Sequence, residues 1–122
     1  MENFKVKRID SGEYTTLHVG GFLDAHTAPH LEEAIQNLID EQRYHIVVNF
    51  KDLNYISSAG LGVFMGFVEQ VRKNNGDIKM CSMTPKIFRV FDLLGFPTLF
   101  EIVDEEQVAV KKFNEPNPFL SR

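Results

Sequence analysis

The chain is short of cysteine, of long apolar runs and of clustered positive charge, and each shortage excludes a class of protein. Its one cysteine, Cys81, excludes an internal disulfide and a zinc site built from several cysteines. No apolar stretch approaches the roughly 20 residues that span a bilayer, and the first residues lack the apolar core of a signal peptide. A formal charge of −4 without a Lys/Arg cluster argues against nucleic acid as the main partner. We therefore expect a cytoplasmic protein that neither enters a membrane nor binds nucleic acid.

The motifs of common enzymes are also missing from the sequence. It has neither the phosphate-binding loop G-x-x-x-x-G-K-[ST] nor the elbow G-x-S-x-G, and segment 59–62 does not fit the dinucleotide pattern G-x-G-x-x-G. His26 and His30 lie four residues apart, but the H-E-x-x-H context of a zinc-binding helix is absent. A hydrolase triad of Ser58, His26 and Asp24 would need an oxyanion hole that nothing in the sequence supplies. We predict a binding protein, not an enzyme, without a metal or cofactor.

Short β-branched segments alternate with segments of helical periodicity along the 122 residues. Gly20 and Gly21 are expected to end the second strand, and Thr27, Ser58, Thr84 and Asp104 stand where helices are expected to begin. The predicted strands are 4–9, 14–19, 45–50, 78–83 and 99–103. The predicted helices are 28–42, 58–73, 85–94 and 105–113.

This order of elements predicts an α/β fold. Its sheet is mixed but mainly parallel, with about five strands and about four helices packed against it. Residues 1–113 are expected to form a single domain, and residues 114–122, with two prolines, a loose C-terminal tail. In such sheets function gathers at the carboxyl ends of strands, where strand turns into helix.

Two predicted strand-to-helix turns contain the polar side chains of Asp24, Asp52 and Ser58. One interpretation is structural: the two carboxylates bond nearby amides in their turns, and Ser58 caps a helix. The other interpretation is that a protein kinase phosphorylates Ser58. Phosphate at a helix N-terminus meets unpaired N–H groups and the positive end of the helix dipole, so it need not unfold the chain. The residues alone leave both interpretations open.

Four segments in order resemble the landmarks of STAS domains, most of all those of bacterial anti-sigma-factor antagonists of the sporulation and general-stress type. They are F-L-D-A-H-T-A at 22–28, V-V-N-F-K-D-L at 47–53, I-S-S-A-G-L-G at 56–62, and M-C-S-M-T-P at 80–85 with F-R-V-F-D-L-L-G at 88–95. The resemblance covers about residues 5 to 110. It implies the STAS fold and a regulatory protein that binds a partner.

In that family a partner kinase, which is itself an anti-sigma factor with a histidine-kinase-like ATPase fold, phosphorylates a serine just before the A/S-G-L-G segment. The resemblance assigns that serine to Ser58, with Ser57 as the less favoured hydroxyl. Many relatives have Asp immediately before the serine, and this chain has Ser57 there. The unphosphorylated antagonist binds the kinase and frees the sigma factor, and a PP2C-type phosphatase resets it. The partner surface implied here comprises Asp24, Ser57, Ser58, Ala59, Gly60, Leu61, Gly62, Met65 and Glu69.

Two other functions and the oligomeric state stay open at this point. The chain would also suit a STAS module that is never phosphorylated and serves as a scaffold in another signalling or transport assembly. The third hypothesis is a protein that binds a small ligand or nucleotide at the helix N-termini. Phe96, Phe100 and Phe119 are expected either to pack on the domain or to form a dimer contact, in a monomer or weak homodimer.

Overall fold

The computed structural model describes residues 3–119 and confirms the predicted α/β fold. No helix in this range is long and apolar enough to cross a membrane. A 3₁₀ turn, Phe96–Thr98, precedes the last strand. The strands are β1 (Lys5–Ser11), β2 (Tyr14–Leu23), β3 (His45–Ile56), β4 (Asp77–Cys81) and β5 (Ile102–Val103). The helices are α1 (Ala28–Asp40), α2 (Ser58–Lys73), α3 (Pro85–Leu93) and α4 (Glu106–Lys112).

The strands form one mixed sheet in the order β1-β2-β3-β4-β5. The tight turn at Gly12, which has a positive φ of 61°, returns the chain directly, so β1 and β2 pair antiparallel. A longer connection containing a helix or the 3₁₀ turn precedes each of the later strands, and β2 to β5 are therefore parallel. The carboxyl ends of β2 and β3 consequently lie side by side at one end of the sheet, which we call the carboxyl edge.

The two faces of the sheet are covered unequally. Helices α1, α2 and α3 pack on one face, the main face, against Ile46, Val48 and Phe50 of β3. Helix α4 packs on the opposite face, the second face, where Ala109 contacts a small cluster with Val47 and Cys81. Burial there raises the pKa of the Cys81 thiol to about 11, in keeping with a structural role for this residue.

Phenylalanine rings fill much of the main core. The rings of Phe50, Phe64 and Phe91 meet at centroid distances of 5.2 to 6.4 Å. Phe96 and Phe100 are buried and stack on each other at 5.4 Å, so they pack in the core and are not available for a dimer contact. The ring of Phe119 lies 5.1 Å from the guanidinium carbon of Arg72.

A buried group of charges joins β4 to its neighbours. Lys79 is 2% exposed, and its ammonium group lies 3.0 Å from Asp77 and 2.5 Å from Glu101. Asp77 also accepts a 2.8 Å hydrogen bond from Arg72, which in turn donates to the Leu99 carbonyl. A buried ammonium is tolerated only when it is paired in this way.

The strands leading to the carboxyl edge are longer than the sequence predicts. Gly20 and Gly21 do not end β2, which continues to Leu23, and β3 runs on from residue 50 to Ile56. Two register shifts interrupt the pairing of β2 and β3, after His18 and after Gly21. Bulges of this kind break the alternation of inward and outward residues, and that alternation is the pattern by which a strand is recognised.

Helix boundaries differ from the predicted ones in smaller ways. Thr27 precedes α1 but its side chain does not cap it, and α1 ends at Asp40, before residue 42. Glu105 precedes α4 in place of Asp104, and again no side chain makes a capping bond. Ala109 is the buried residue of α4, and Val108 is 40% exposed. The last strand is only Ile102–Val103, because the 3₁₀ turn occupies part of the predicted segment.

Candidate functional site

The last paired residues of β2 and β3, Leu23 and Ile56, bring two turns together at the carboxyl edge. The Ser57 amide donates a 2.9 Å hydrogen bond to the Leu23 carbonyl, which fixes the end of one strand against the other. Asp24 follows Leu23 directly, and Ser58 follows Ser57. We call the region of Asp24, Ser57 and Ser58 the serine edge. The structure therefore brings together three residues that the sequence predicts as a site.

The two serines have different positions at the start of α2. Ser57 is the N-cap: its backbone is extended, and its Oγ accepts a 3.5 Å hydrogen bond from the Gly60 amide. Ser58 is the first residue of the helix, and it is exposed. The expectation that Ser58 caps the helix is therefore wrong. Because Ser57 provides the cap, the Ser58 hydroxyl is left at the surface beside the N-terminus of a 16-residue helix.

Gly60 and Leu61 face the core and hold the helix start in place. A Cβ added at Gly60 would stand 2.7 Å from Cγ of Leu23 and 3.1 Å from Ile56, so only glycine lets α2 approach the strand ends this closely. The side chain of Leu61 is 3% exposed. These two predicted partner-binding residues therefore do not offer side chains to a partner.

The remaining predicted residues lie on the outer side of α2. Ala59, Gly62, Met65 and Glu69 are exposed, and the side chain of Met65 is 45% exposed. An added Cβ at Gly62 would meet nothing within 4 Å, so its helix backbone is uncovered. Glu69 lies 3.3 Å from Lys73, one turn further along the helix. With Ser58, these four residues form the outer surface of α2.

Asp24 organises its own turn. Its Oδ1 accepts hydrogen bonds from the amides of His26 and Thr27 at 2.9 and 3.1 Å. The Thr27 hydroxyl lies 3.3 Å from the same oxygen and donates to the Phe22 carbonyl. Partial burial would raise the pKa of Asp24, but these hydrogen bonds outweigh it and hold the pKa below its usual value. The carboxylate thus stays ionised and closes the loop beside Ser58.

Asp52 does not join this group. It lies within β3, five residues before Ser57, which corresponds to about 16 Å along an extended strand. The expectation that Asp52 belongs to a turn is therefore wrong, because the strand continues past it. Its side chain lines a groove on the second face instead.

His26 meets Asp24 through its backbone, and within residues 3–119 the histidines form no cluster of metal ligands with these residues. Asp24 bonds the backbone amide of His26, not its imidazole. Among residues 3–119, no group of three or more His, Cys, Asp and Glu side chains is arranged to hold a metal ion.

Sequence reasoning missed an exposed aromatic pair next to the serine edge. The rings of Phe22 and Tyr55 lie 5.5 Å apart, and both are more than a third exposed. They occupy the strand positions just before Leu23 and Ile56. One feature of the sequence could have indicated this pair: the apolar residues Leu53 and Ile56 are three residues apart, not two. That spacing is typical of a bulged strand and places Tyr55 on the side away from the main core.

The fold and this edge together define a STAS domain. Residues 4–109 match the STAS domain model, so the chain belongs to the STAS domain family. The anti-sigma-B factor antagonist of Staphylococcus epidermidis is 28% identical over 106 residues, which cover 87% of this chain and 98% of that protein.

Solved structures share the fold. An anti-sigma factor antagonist from Mycobacterium paratuberculosis superposes with a TM-score of 0.85 at 21% identity, covering 93% of this chain and 96% of that one. The Bacillus cell fate determinant SpoIIAA in its phosphorylated form gives a TM-score of 0.68 at 21% identity, over 90% and 98% of the two chains. The resemblance to STAS domains deduced from the sequence is thereby confirmed.

Proposed function

We propose that this chain is an anti-sigma-factor antagonist that acts by binding, and that phosphorylation of Ser58 switches the binding off. Its partner would be a kinase-type anti-sigma factor, which releases its sigma factor when the unphosphorylated antagonist binds. The observation that carries the proposal is that the two serines occupy different positions at the start of α2. Ser57 caps α2, whereas Ser58 is exposed on the first turn and does not cap the helix.

The chemistry of the step suits this position. The γ-phosphoryl group of ATP is transferred to Ser58 Oγ, the hydroxyl loses its proton, and ADP leaves. The product carries about −1.5 to −2 charges and three acceptor oxygens. At the first residue of α2 these oxygens meet the positive end of the helix dipole and its unpaired amides, so the fold is retained.

The effect of the phosphate falls on the partner. The kinase docks over the serine edge and the outer surface of α2, where Ala59, Gly62, Met65 and Glu69 are exposed. Gly60 and Leu61 act from the core by fixing where the helix begins. A bulky dianion in the middle of this surface repels acidic groups and blocks close approach; a loss of only about 1.4 kcal/mol is a tenfold weaker complex. A PP2C-type phosphatase then restores the binding form.

Relatives support the choice of partner. The similar staphylococcal protein is an anti-sigma-B factor antagonist, and a neighbour of the same fold has been solved in a phosphorylated form. This chain differs in having Ser57 where many relatives have Asp. Since Ser57 occupies the cap position, a serine there serves the same structural purpose that an aspartate would.

Phosphate mapping tests the modified residue. The protein is incubated with its cognate kinase and ATP, and phosphate is located by mass spectrometry in the wild type, Ser58→Ala and Ser57→Asp, which keeps a capping oxygen. We expect phosphate in the wild type and in Ser57→Asp, and none in Ser58→Ala. Phosphate that persists in Ser58→Ala would refute the assignment. A wild type that binds the kinase but is never phosphorylated would favour the scaffold function.

A binding titration tests the mechanism. Ser58→Asp should bind the kinase at least about tenfold more weakly than the wild type. Met65→Ala should also weaken binding. Phe88→Ala serves as the control, since Phe88 is an apolar residue on α3 that is 38% exposed, against 45% for Met65. Unchanged affinity of Ser58→Asp would remove the proposed switch.

A further inference from the structure

Two aromatic rings stand exposed at the ends of β2 and β3, next to the serine edge. Phe22 and Tyr55 pair in register, and their ring centroids lie 5.5 Å apart. Since Leu23 and Ile56 enter the main core, the rings before them point to the second face. The two residues are 38% and 44% exposed, and neither belongs to the two hydrophobic clusters of the core. Folding therefore leaves much of this aromatic pair uncovered.

The hydrogen bonds that build the serine edge also hold the aromatic pair. The Thr27 hydroxyl donates to the Phe22 carbonyl at 2.8 Å and accepts from the Asp24 amide at 2.9 Å. The Ser57 amide donates to the carbonyl of the residue after Phe22, at 2.9 Å. This last bond joins the end of β2 to the end of β3, which carries the ring of Tyr55. The backbone beneath both rings is therefore fixed relative to the Asp24 turn and the start of α2.

The serine edge and the outer surface of α2 are small for a stable complex. From Ser58 to Glu69 the helix rises about 17 Å, and one side of a helix is about 10 Å wide. A specific interface takes roughly 800 Å² from each partner, which is several times that area. The cores of interfaces are rich in aromatic side chains, and Met65 is the one large apolar side chain that is exposed on α2. A kinase that docks here therefore needs further apolar surface next to Ser58.

We propose that the kinase-type partner also binds the aromatic pair as a second anchor, a proposal that rests on the function proposed above. Phe22 lies two residues before Asp24, and Tyr55 lies three residues before Ser58. The aromatic pair thus continues the serine edge around the end of the sheet onto the second face. Apolar side chains of the kinase cover both rings there, since buried aromatic residues carry much of the binding energy of an interface.

Two other exposed apolar side chains lie well away from the serine edge. Ile9 pairs with Thr16, which lies seven residues before Leu23, or about 23 Å along an extended strand. Leu93 ends α3, about 12 Å from the start of that helix, which follows β4 at the carboxyl edge. The aromatic pair, in contrast, adjoins the serine edge directly.

The anchor does not depend on the phosphate. Helix α2 packs on the main face, whereas the rings point to the second face, so a phosphate on Ser58 does not cover them. The contacts made by the rings are apolar, and the charge of the phosphate does not repel them. Phosphorylation therefore weakens one part of the interface and leaves the other part intact. The kinase keeps a residual affinity for the phosphorylated chain, and the aromatic pair sets that affinity.

The affinity of the full chain for its cognate kinase tests the anchor. Phe22→Thr and Tyr55→Thr each remove a ring but supply a β-branched residue that suits a strand. Each should bind about tenfold or more weakly than the wild type, and Tyr55→Phe should bind more tightly than Tyr55→Thr. Ile9→Thr is the matched control, because Ile9 is 44% exposed like Tyr55, and it should bind like the wild type. Ring variants that bind with wild-type affinity overturn the proposal.

A second measurement needs no substitution and so does not depend on whether a variant folds. Ring proton resonances of Phe22 and Tyr55 in the wild type should shift when the kinase is added. The methyl resonances of Ile9 should shift less, since this residue lies outside the contact. Ring resonances that keep their free positions in excess kinase overturn the proposal.

The same titrations separate the anchor from the proposed function. If Ser58→Asp loses affinity while the ring variants bind like the wild type, the function stands and the anchor is refuted. A wild type that does not bind the kinase refutes both. The double variant Ser58→Asp/Tyr55→Thr should bind more weakly than either single variant, by the product of their two factors. A double variant that binds like Ser58→Asp overturns an anchor that is independent of the phosphate.

Discussion

The side chain of Leu23 occupies the space that any side chain on Gly60 would need: Cγ of Leu23 lies 2.7 Å from the position of an added Cβ. Leu23 ends β2 and Gly60 lies in the first turn of α2, so this contact sets how the helix start meets the strand edge. The position of Ser58 is a consequence of that contact.

Gly60→Ala should therefore lower the free energy of unfolding by about 1–3 kcal/mol, because the added methyl forces the helix away from the strands. Urea unfolding at neutral pH measures the change. Gly62→Ala is the matched control: an added Cβ there meets nothing within 4 Å, and alanine should stabilise the helix by up to about 1 kcal/mol. Equal effects at the two glycines would show that close packing at Gly60 does not matter.

Ser57→Ala should cost about 0.5–1 kcal/mol of stability, the lower part of the range for a helix cap, because the capping bond is long at 3.5 Å. Ser57→Asp should recover that loss, since an aspartate also accepts from the helix amides and complements the dipole. Thermal unfolding compares these variants with Ser58→Ala, which should lie within about 0.5 kcal/mol of the wild type. A larger loss in Ser58→Ala than in Ser57→Ala would reverse the two roles.

Asp77→Ala should be among the most destabilising substitutions in the chain, at about 3–5 kcal/mol. It leaves the buried Lys79 with only one carboxylate and takes a partner from Arg72. Lys79→Met should cost less, because Asp77 keeps Arg72 and the volume is conserved. Urea midpoints at one pH compare the two. The interpretation of Lys79 as a cation that depends on Asp77 would be wrong if Lys79→Met were the worse variant.

Acid stability should depend on Asp10. Hydrogen bonds from Arg8, at 2.9 Å to each carboxylate oxygen, lower the pKa of Asp10 from 3.8 to about 2. Because the folded pKa lies below the ordinary value, the bond stabilises the fold above pH 4. That stability is lost as the pH falls from 4 toward 2. Asp10→Asn should therefore be less stable than the wild type at pH 5.5, and the two should converge near pH 2.

Urea unfolding at pH 5.5, 4 and 2.5 measures this convergence. Asp40→Asn is the control, since the side-chain hydrogen bond that Asp40 accepts within residues 3–119 comes from the neutral Gln36. A difference between Asp10→Asn and the wild type that stays constant across the three pH values would exclude the charge-assisted bond as its source.

The alternation of strands and helices was predictable because hydrophobic periodicity survives in most of the chain. It fails in segment 51–56, where Leu53 and Ile56 face the core three residues apart, with Asn54 and Tyr55 exposed between them. Pairing with β2 keeps this segment extended in spite of its composition. A pattern within one segment does not reveal which neighbour will pair with it.

The location of the candidate site was predictable from the sequence, but which of its two serines caps the helix was not. Two adjacent serines before a helical pattern indicate a cap, but which one caps depends on the residue at which the helix begins, and boundaries shift by a residue or two. The burial of Lys79 was beyond sequence reasoning, because Glu101 stands 22 residues away. Only the pairing of β4 with β5 brings the two together.

The single thiol of the chain provides a built-in measure of helix movement. Cys81 is buried between the sheet and α4, and its raised pKa makes it slow to react with alkylating reagents at neutral pH. Its labelling rate therefore reports how often α4 lifts from the sheet. A partner that binds only at the serine edge leaves this rate unchanged, whereas one that displaces α4 accelerates it. The thiol can thus distinguish partners by where they bind, without any added probe.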